Sequence, residues 1–221
     1  LTPGDKVKAD FLSWSQDGKT FFVTSNARDA SAFDVIAYDA TTYAHRTVFE
    51  NTGGFSPAAL SPDGRWLVLD KALTSANNDL YLVDLTAPGE PKLLTPHEGN
   101  VAYTAFDFTP GSKAVLIGTD QNGEFQQAIR HDLASGANTP LIQADWDVSF
   151  VFYSPSGRYR VSGLNADAKT ELTLLDATTG QPVAMTGLPD GDIGNVRFSE
   201  DEKTIAFTVS SDTSPADVFV C

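Results

Sequence analysis

The chain is poor in the residues on which much protein chemistry is built. Its 221 residues include one cysteine, Cys221, at the last position. No disulfide can form within the chain, and a zinc site made of several thiolates is excluded. Three histidines, His45, His97 and His131, lie far apart and show no metal-ligand spacing. Basic residues are scarce as well. Fifteen Lys and Arg stand against 29 Asp and Glu, a formal net charge of −14. No basic stripe is visible, which argues against a nucleic-acid partner. An anionic membrane surface would repel such a chain. No uninterrupted apolar stretch approaches the ~20 residues that span a bilayer, so no membrane insertion is expected. Residues 1–20 lack the basic start and apolar run of a signal peptide. The chain opens on Leu1 rather than Met, and the expectation is that something upstream was removed or lies outside this sequence. The acidity reads first as a device for solubility, and more sharply as an acidic face for cationic or amine-bearing ligands.

Catalytic motifs are missing too. There is no Gly-x-Ser-x-Gly nucleophile elbow. The nearest string, Gly53-Gly54-Phe55-Ser56-Pro57, lacks the closing glycine. There is no Gly-x-x-x-x-Gly-Lys phosphate loop and no His-Glu-x-x-His pair. No catalytic residue, metal site or cofactor is assigned. Glycoside hydrolysis needs a pair of carboxylates flanking one bond, and no spacing here selects a pair.

What the chain does have is a core and a repeat. Hydrophobic residues make up 41% of it, too many for a disordered polymer. Five segments share one pattern: Trp14-Ser15-Gln16-Asp17-Gly18-Lys19, Leu60-Ser61-Pro62-Asp63-Gly64-Arg65, Phe108-Thr109-Pro110-Gly111-Ser112-Lys113, Tyr153-Ser154-Pro155-Ser156-Gly157-Arg158 and Phe198-Ser199-Glu200-Asp201-Glu202-Lys203. Their hydroxyl residues fall at 15, 61, 109, 154 and 199, in steps of 46, 48, 45 and 45. Each copy begins with an apolar residue that ends a strand. A tight turn follows, in which Pro presets φ, Asp or Ser bonds back to the backbone and Gly tolerates the closing geometry.

A second strand comes at once, as in Thr20-Phe21-Phe22-Val23-Thr24, Trp66-Leu67-Val68-Leu69, Ala114-Val115-Leu116-Ile117, Tyr159-Arg160-Val161-Ser162 and Thr204-Ile205-Ala206-Phe207-Thr208. These runs are β-branched or aromatic and too short for helices. After a polar loop, a third strand ends in Asp39, Asp84, Asp132 or Asp176, which lie 24, 23, 23 and 22 residues beyond the hydroxyl. Short fourth strands are expected at 47–49, 91–95, 139–142 and 183–185. The recurring acids are read as turn formers rather than catalysts.

Four short antiparallel strands per ~45 residues predict an all-β fold, a β-propeller of four-stranded blades. A sandwich would not repeat at this period. The blade repeats run approximately 3–50, 51–97, 98–143, 144–188 and 189–221, the last incomplete. Leu1-Thr2 reads as the tail of an earlier fourth strand. Either a few N-terminal residues complete the fifth blade, or the array is part of a larger ring. The second reading is favoured.

The loops between blades and between second and third strands share one face and vary most, so recognition is expected there. They carry Asn26, Arg28 and Asp29, then Ser75, Asn77 and Asn78, then Gln121, Asn122 and Glu124. The inter-blade loops add His97-Glu98-Gly99-Asn100, Asp145-Trp146-Asp147 and Asp190-Gly191-Asp192. As candidate substrate-binding residues the sequence offers Arg28, Asn77, His97, Glu98, Asp145 and Trp146. The plainer reading makes them solvated loop side chains, with Trp146 packed between blades and His97 holding its loop by hydrogen bonds.

The strings Trp14-Ser15-Gln16-Asp17-Gly18-Lys19, Leu94-Thr95-Pro96-His97-Glu98-Gly99, Ala144-Asp145-Trp146-Asp147-Val148 and Phe207-Thr208-Val209-Ser210-Ser211-Asp212-Thr213-Ser214-Pro215-Ala216-Asp217-Val218 resemble the β-propeller of the prolyl oligopeptidase family of serine peptidases, in particular its bacterial acylaminoacyl-peptidase and dipeptidyl-peptidase-like members. The resemblance implies a ring of seven or eight blades beside a C-terminal α/β-hydrolase domain that holds the Ser-Asp-His triad. The propeller would gate entry of peptide substrates and help bind them. The paired glutamates of the dipeptidyl peptidases have no adjacent Glu-Glu counterpart here. The compartment stays open between bacterial cytoplasm and periplasm. The alternative is a free-standing propeller of the TolB kind, acting as a protein-interaction scaffold.

Overall fold

The computed structural model describes residues 4–87, 89–188 and 190–221. Among these there is no helix; the chain forms five antiparallel sheets. The first is β1 (Ala9–Trp14), β2 (Thr20–Asp29), β3 (Ala32–Asp39) and β4 (His45–Phe49), in that order. The second repeats the order with β5 (Ser56–Leu60), β6 (Trp66–Thr74), β7 (Asn77–Asp84) and β8 (Lys92–Leu93). The third has β9 (Tyr103–Phe108), β10 (Ala114–Thr119), β11 (Gln127–Asp132) and β12 (Asn138–Ile142). The fourth holds three strands, β13 (Asp147–Tyr153), β14 (Tyr159–Ala166) and β15 (Lys169–Asp176). So does the fifth, with β16 (Asp192–Phe198), β17 (Ile205–Ser211) and β18 (Ser214–Val220). The chain condenses into two compact units, 1–115 and 116–221, and the division falls inside β10.

Within each unit, neighbouring sheets pack face to face. In the first unit Phe22, Val35 and Ala37 of the first sheet meet Leu60, Leu67, Leu69 and Val83 of the second. In the second unit Val161 and Leu174 of the fourth sheet meet Ile193, Ile205 and Phe207 of the fifth. In the second and fifth copies the sixth and eighth residues after the turn hydroxyl, Leu67, Leu69, Ile205 and Phe207, face the preceding sheet, and in the first and fourth the seventh, Phe22 and Val161, faces the following one. A strand buried on both faces reads as an unbroken apolar run rather than an alternating one. Leu67, Val68 and Leu69 are fully buried for this reason, each side chain contributing about 1.5–3 kcal/mol.

The repeated turn works as its residues predict. Ser15 Oγ accepts from Thr20 N at 3.0 Å, and its counterparts at 61, 109, 154 and 199 accept in the same way at 2.8–3.1 Å. The N–H of the residue three further on returns to the hydroxyl residue's carbonyl. That position takes a positive φ. It is Gly18, Gly64 and Gly157 in three copies, but Ser112 (φ 57) and Glu202 (φ 55) in the others. Both non-glycine residues reach back to the preceding turn. Ser112 Oγ accepts from Asp63 N at 3.4 Å. Glu202 accepts from Ser156 N and Oγ at 2.5 and 2.8 Å.

The third-strand aspartates also build turns. Asp39, Asp84, Asp132 and Asp176 each accept from a backbone N–H two or three residues on and from a Ser or Thr hydroxyl. The backbone and hydroxyl of Ser135 hold Asp132 down at a pKa of about 2. Arg65 and Thr86 hold Asp84 well below the ordinary carboxylate value.

Two expectations are corrected. The fourth strand expected at 183–185 is absent. Only an isolated bridge, Leu175 to Pro182, and a bond from Val183 N to Leu174 O stand there. Several residues assigned to loops lie instead in strands: Asn26, Arg28 and Asp29 in β2, Asn77 and Asn78 in β7. The hairpins close in two residues, so their polar ends continue the ladder. The reading of Leu1-Thr2 concerns residues outside those described.

Candidate functional site

At the hairpin end of the sheets, the start of each third strand is tied to the segment that leads into the next sheet. In the first sheet Asp34 accepts from Asn51 N at 2.8 Å. In the second, Asn78 clasps Tyr103, donating to its carbonyl at 2.8 Å and accepting from its N–H at 2.7 Å. Beside β11, Gln126 N donates to Asp147 at 2.6 Å and Gln126 Nε2 to Val148 O at 2.8 Å. In the fourth sheet Thr170 donates to Asp192 and Lys169 pairs with Asp190 at 2.7 Å. Each tie joins residues of a single compact unit.

Arg28 belongs to the first tie. Its Nε and Nη2 donate to the two oxygens of Asp34 at 2.7 and 2.8 Å, and Nη2 also to Asn51 O at 3.0 Å. Burial pushes Asp34 upward, but Arg28 and the Asn51 N–H outweigh it and hold the carboxyl below its ordinary range. Asp70 goes the other way. Its burial raises the pKa, and the bond from Asn78 only partly opposes that.

Asn77 and His97 come together. His97 Nε2 is 2.7 Å from Asn77 Oδ1, and Nδ1 is 2.9 Å from Thr95 O and 3.4 Å from Asp79. The His97 side chain is 4% exposed. Asn77 Nδ2 donates to Gly99 O at 3.3 Å and Oδ1 accepts from Val101 N at 3.4 Å. The imidazole thus fixes the loop from Thr95 to Val101, as the plainer reading has it. Glu98 stands on that loop, exposed.

Asp145 and Trp146 lie in the second unit, both exposed. Trp146 is 42% exposed and packs one side against Phe125, 5.9 Å between centroids. A fully packed place for Trp146 is therefore not what the sheet offers. A shallow groove of about 410 Å³ runs along the β14–β15 hairpin, lined by Asp167, Lys169, Glu171, Leu172, Leu188 and Ile193 among others. Asp190 raises the pKa of Lys169. Among the described residues no group of three or more His, Cys, Asp or Glu is placed to hold a metal.

Of the six sequence-selected residues, the structure joins Asn77 to His97 and places Glu98 on the same loop. Arg28 is committed to Asp34, and Asp145 and Trp146 stand in the other unit. Asn78 is read from sequence only as a loop side chain, and Gln126 and Thr170 are not among the residues selected there. Their signal is a polar residue 16–17 positions after each turn hydroxyl, at 78, 126 and 170.

The sequence matches the family model of the prolyl oligopeptidase N-terminal β-propeller domain over residues 3–221. No curated protein matches it. Among solved structures, TolB from Acinetobacter baumannii superposes with a TM-score of 0.69 at 19% identity, over 96% of this chain and 51% of that one. A prolyl endopeptidase, from work on inter-domain dynamics in catalysis and specificity, gives 0.70 at 20% identity, over 96% of this chain and 33% of that one. Prolyl oligopeptidase B from Galerina marginata gives 0.67 at 18% identity, over 95% and 31%. At these identities the likeness is one of fold, the β-propeller. The chain spans about half the length of the TolB structure and about a third of the two peptidases.

Proposed function

The chain belongs to the prolyl oligopeptidase N-terminal β-propeller family, and on that premise we propose that it is the substrate-gating part of a serine peptidase. Its partner is a C-terminal α/β-hydrolase domain of the same polypeptide, which supplies the Ser-Asp-His triad. The five sheets are part of a ring of seven or eight blades. The observation that carries this reading is the family match along nearly the whole chain. The propeller limits access to short or unstructured peptides and contacts them through exposed side chains at the hairpin end. Glu98, Asp145 and Trp146 are the exposed members of the candidate set. Asn77 and His97 hold the loop that carries Glu98, and Arg28 holds the first tie.

The test is labelling of the native full-length protein by a serine-directed fluorophosphonate probe, with its mass compared with this chain. Labelling of a substantially larger polypeptide supports the peptidase. A native protein that ends with the propeller and takes no label overturns it. In the labelled enzyme, Trp146→Ala should raise KM for peptides and leave turnover of a small chromogenic ester unchanged. The likeness to TolB favours a second reading, a free-standing scaffold for protein partners, and the unlabelled outcome would select it.

A further inference from the structure

Five copies of one repeat allow each position to be compared with its counterparts. The sixth residue after the turn hydroxyl is Phe21, Leu67, Val115, Arg160 and Ile205. The eighth is Val23, Leu69, Ile117, Ser162 and Phe207. Four copies put apolar side chains at both places. Leu67 and Leu69 are fully buried, and Ile205 and Phe207 are 6% and 3% exposed. These are the residues that pack on the preceding sheet. The fourth copy alone carries a guanidinium and a hydroxyl there.

Arg160 has not found a protein partner for this charge. Its Nε is shielded from solvent and makes no hydrogen bond. Among the described residues no carboxylate forms an ion pair with it. Arg160 is half-buried, so part of its guanidinium keeps water, but the shielded Nε left without an acceptor is costly unless a solute supplies one. Such an exception in an otherwise satisfied sheet calls for an unseen group.

The neighbours on the same sheet are of the right kind. Ser162 pairs across the ladder with Thr173, and Arg160 with Leu175. Alternation places Arg160, Ser162, Thr173 and Leu175 on one face. Ser162 is 7% exposed, whereas Thr173 is exposed to solvent. Arg160 itself is half-buried, so the face is open to solvent at the guanidinium and at Thr173. In the third sheet the counterpart of Ala37 and Leu174 is Arg130, two residues before the strand-ending Asp. Arg130 donates to Asp132 at 3.2 Å.

We propose that Arg160, with the hydroxyls of Ser162 and Thr173, forms a site for one small oxyanion, a phosphate or a carboxylate, on the face of the fourth sheet. A planar guanidinium fork flanked by hydroxyl donors is suited to two oxygens of one such group. The site is independent of the peptidase reading.

The test uses the full chain, ¹⁵N-labelled, with the Arg160 Nε–Hε resonance assigned by its loss in Arg160→Leu. Sodium phosphate and sodium acetate are titrated separately against sodium chloride of equal ionic strength. The expected result is a saturable shift with phosphate or with acetate, and none with chloride. Response to phosphate alone identifies a phosphate site. Response to acetate identifies a carboxylate site. Arg160→Lys keeps the charge and loses the fork, and should weaken binding about tenfold or more. Arg160→Leu restores the side chain of the second sheet, so it should fold and lose the anion-dependent rise in thermal midpoint. No saturable response to either anion, or one that survives in Arg160→Leu, overturns the proposal.

Discussion

The two ends of each sheet face the same mechanical problem and solve it differently. At the turn end, every copy uses a Ser or Thr hydroxyl as acceptor and an i to i+3 turn. At the hairpin end, four successive sheets are joined onward by an aspartate with an arginine, an asparagine clasp, a glutamine and a threonine. The turn end is constrained by backbone geometry, which admits few residue types. The hairpin end needs only a donor and an acceptor at the right separation, and many side chains supply them. Uniform chemistry thus marks a place where the backbone dictates the residue. Varied chemistry marks a place where the fold leaves the residue free, and where a binding surface can diverge.

The comparison breaks first at Asp34. Replacing Asp34 by Ala strands the Arg28 fork and the Asn51 N–H together. Arg28 keeps some access to water, so the loss should lie near the lower end for a broken buried pair, about 2–3 kcal/mol by urea denaturation. Removing both partners, Arg28→Ala with Asp34→Ala, should cost less than Asp34→Ala alone. If the double variant is the weaker one, the pair is not the tie described. Asn78→Ala should follow at about 2 kcal/mol, because it leaves both backbone groups of Tyr103 without this partner. At the turn end Ser61→Ala removes one acceptor, from Trp66 N, and should cost about 1 kcal/mol. Equal losses at the two ends would remove the distinction.

Acid sharpens the same contrast. Asp34 and Asp132 sit below the ordinary carboxyl value of 3.8 in the folded chain. A depressed folded pKa gives stability that is fully present above 3.8 and is lost as pH falls through the folded value, about 2 for Asp132. Asp70 is raised by burial, so its ionised form weakens the fold at neutral pH, and falling pH relieves that. Urea midpoints against pH should therefore show a small rise with acid before the main loss. Asp70→Asn should abolish the rise and leave the loss unchanged.

How much was legible follows from this division. The blade, its period, its turns and the role of the recurring aspartates were readable because glycine, proline, serine and aspartate are demanded at fixed places by φ and by orphan N–H groups. The hairpin end was misread in detail. Arg28 and Asn77 looked like loop side chains open to ligand because polar residues near a predicted turn give no sign of whether the ladder continues beneath them. His97 was readable as a loop anchor, but its partner Asn77 lies 20 residues earlier, a pairing only the hairpin's length could reveal. The missing strand at 183–185 was not readable from its proline, since Pro140 lies inside β12 and that edge strand forms all the same.

The smallest effect is expected at the tip of the β14–β15 hairpin. Asp167 and Ala168 both have positive φ, 49 and 60, between paired Ala166 and Lys169. Two-residue hairpins with both φ positive favour Asn-Gly or Asp-Gly, because alanine in this region carries a steric penalty. Here the aspartate is present and the glycine is not. Ala168→Gly relieves the clash at the cost of a more flexible unfolded chain, so the net gain should be modest, about 0.5–1 kcal/mol by urea denaturation. The same change at Glu202 (φ 55) should not stabilise, because glycine there also deletes two bonds to Ser156. A gain at 168 with none at 202 would separate strain that serves a bond from strain that serves none. A gain at both would mean that the Glu202 bonds contribute little, and the turn end would then be uniform in backbone alone.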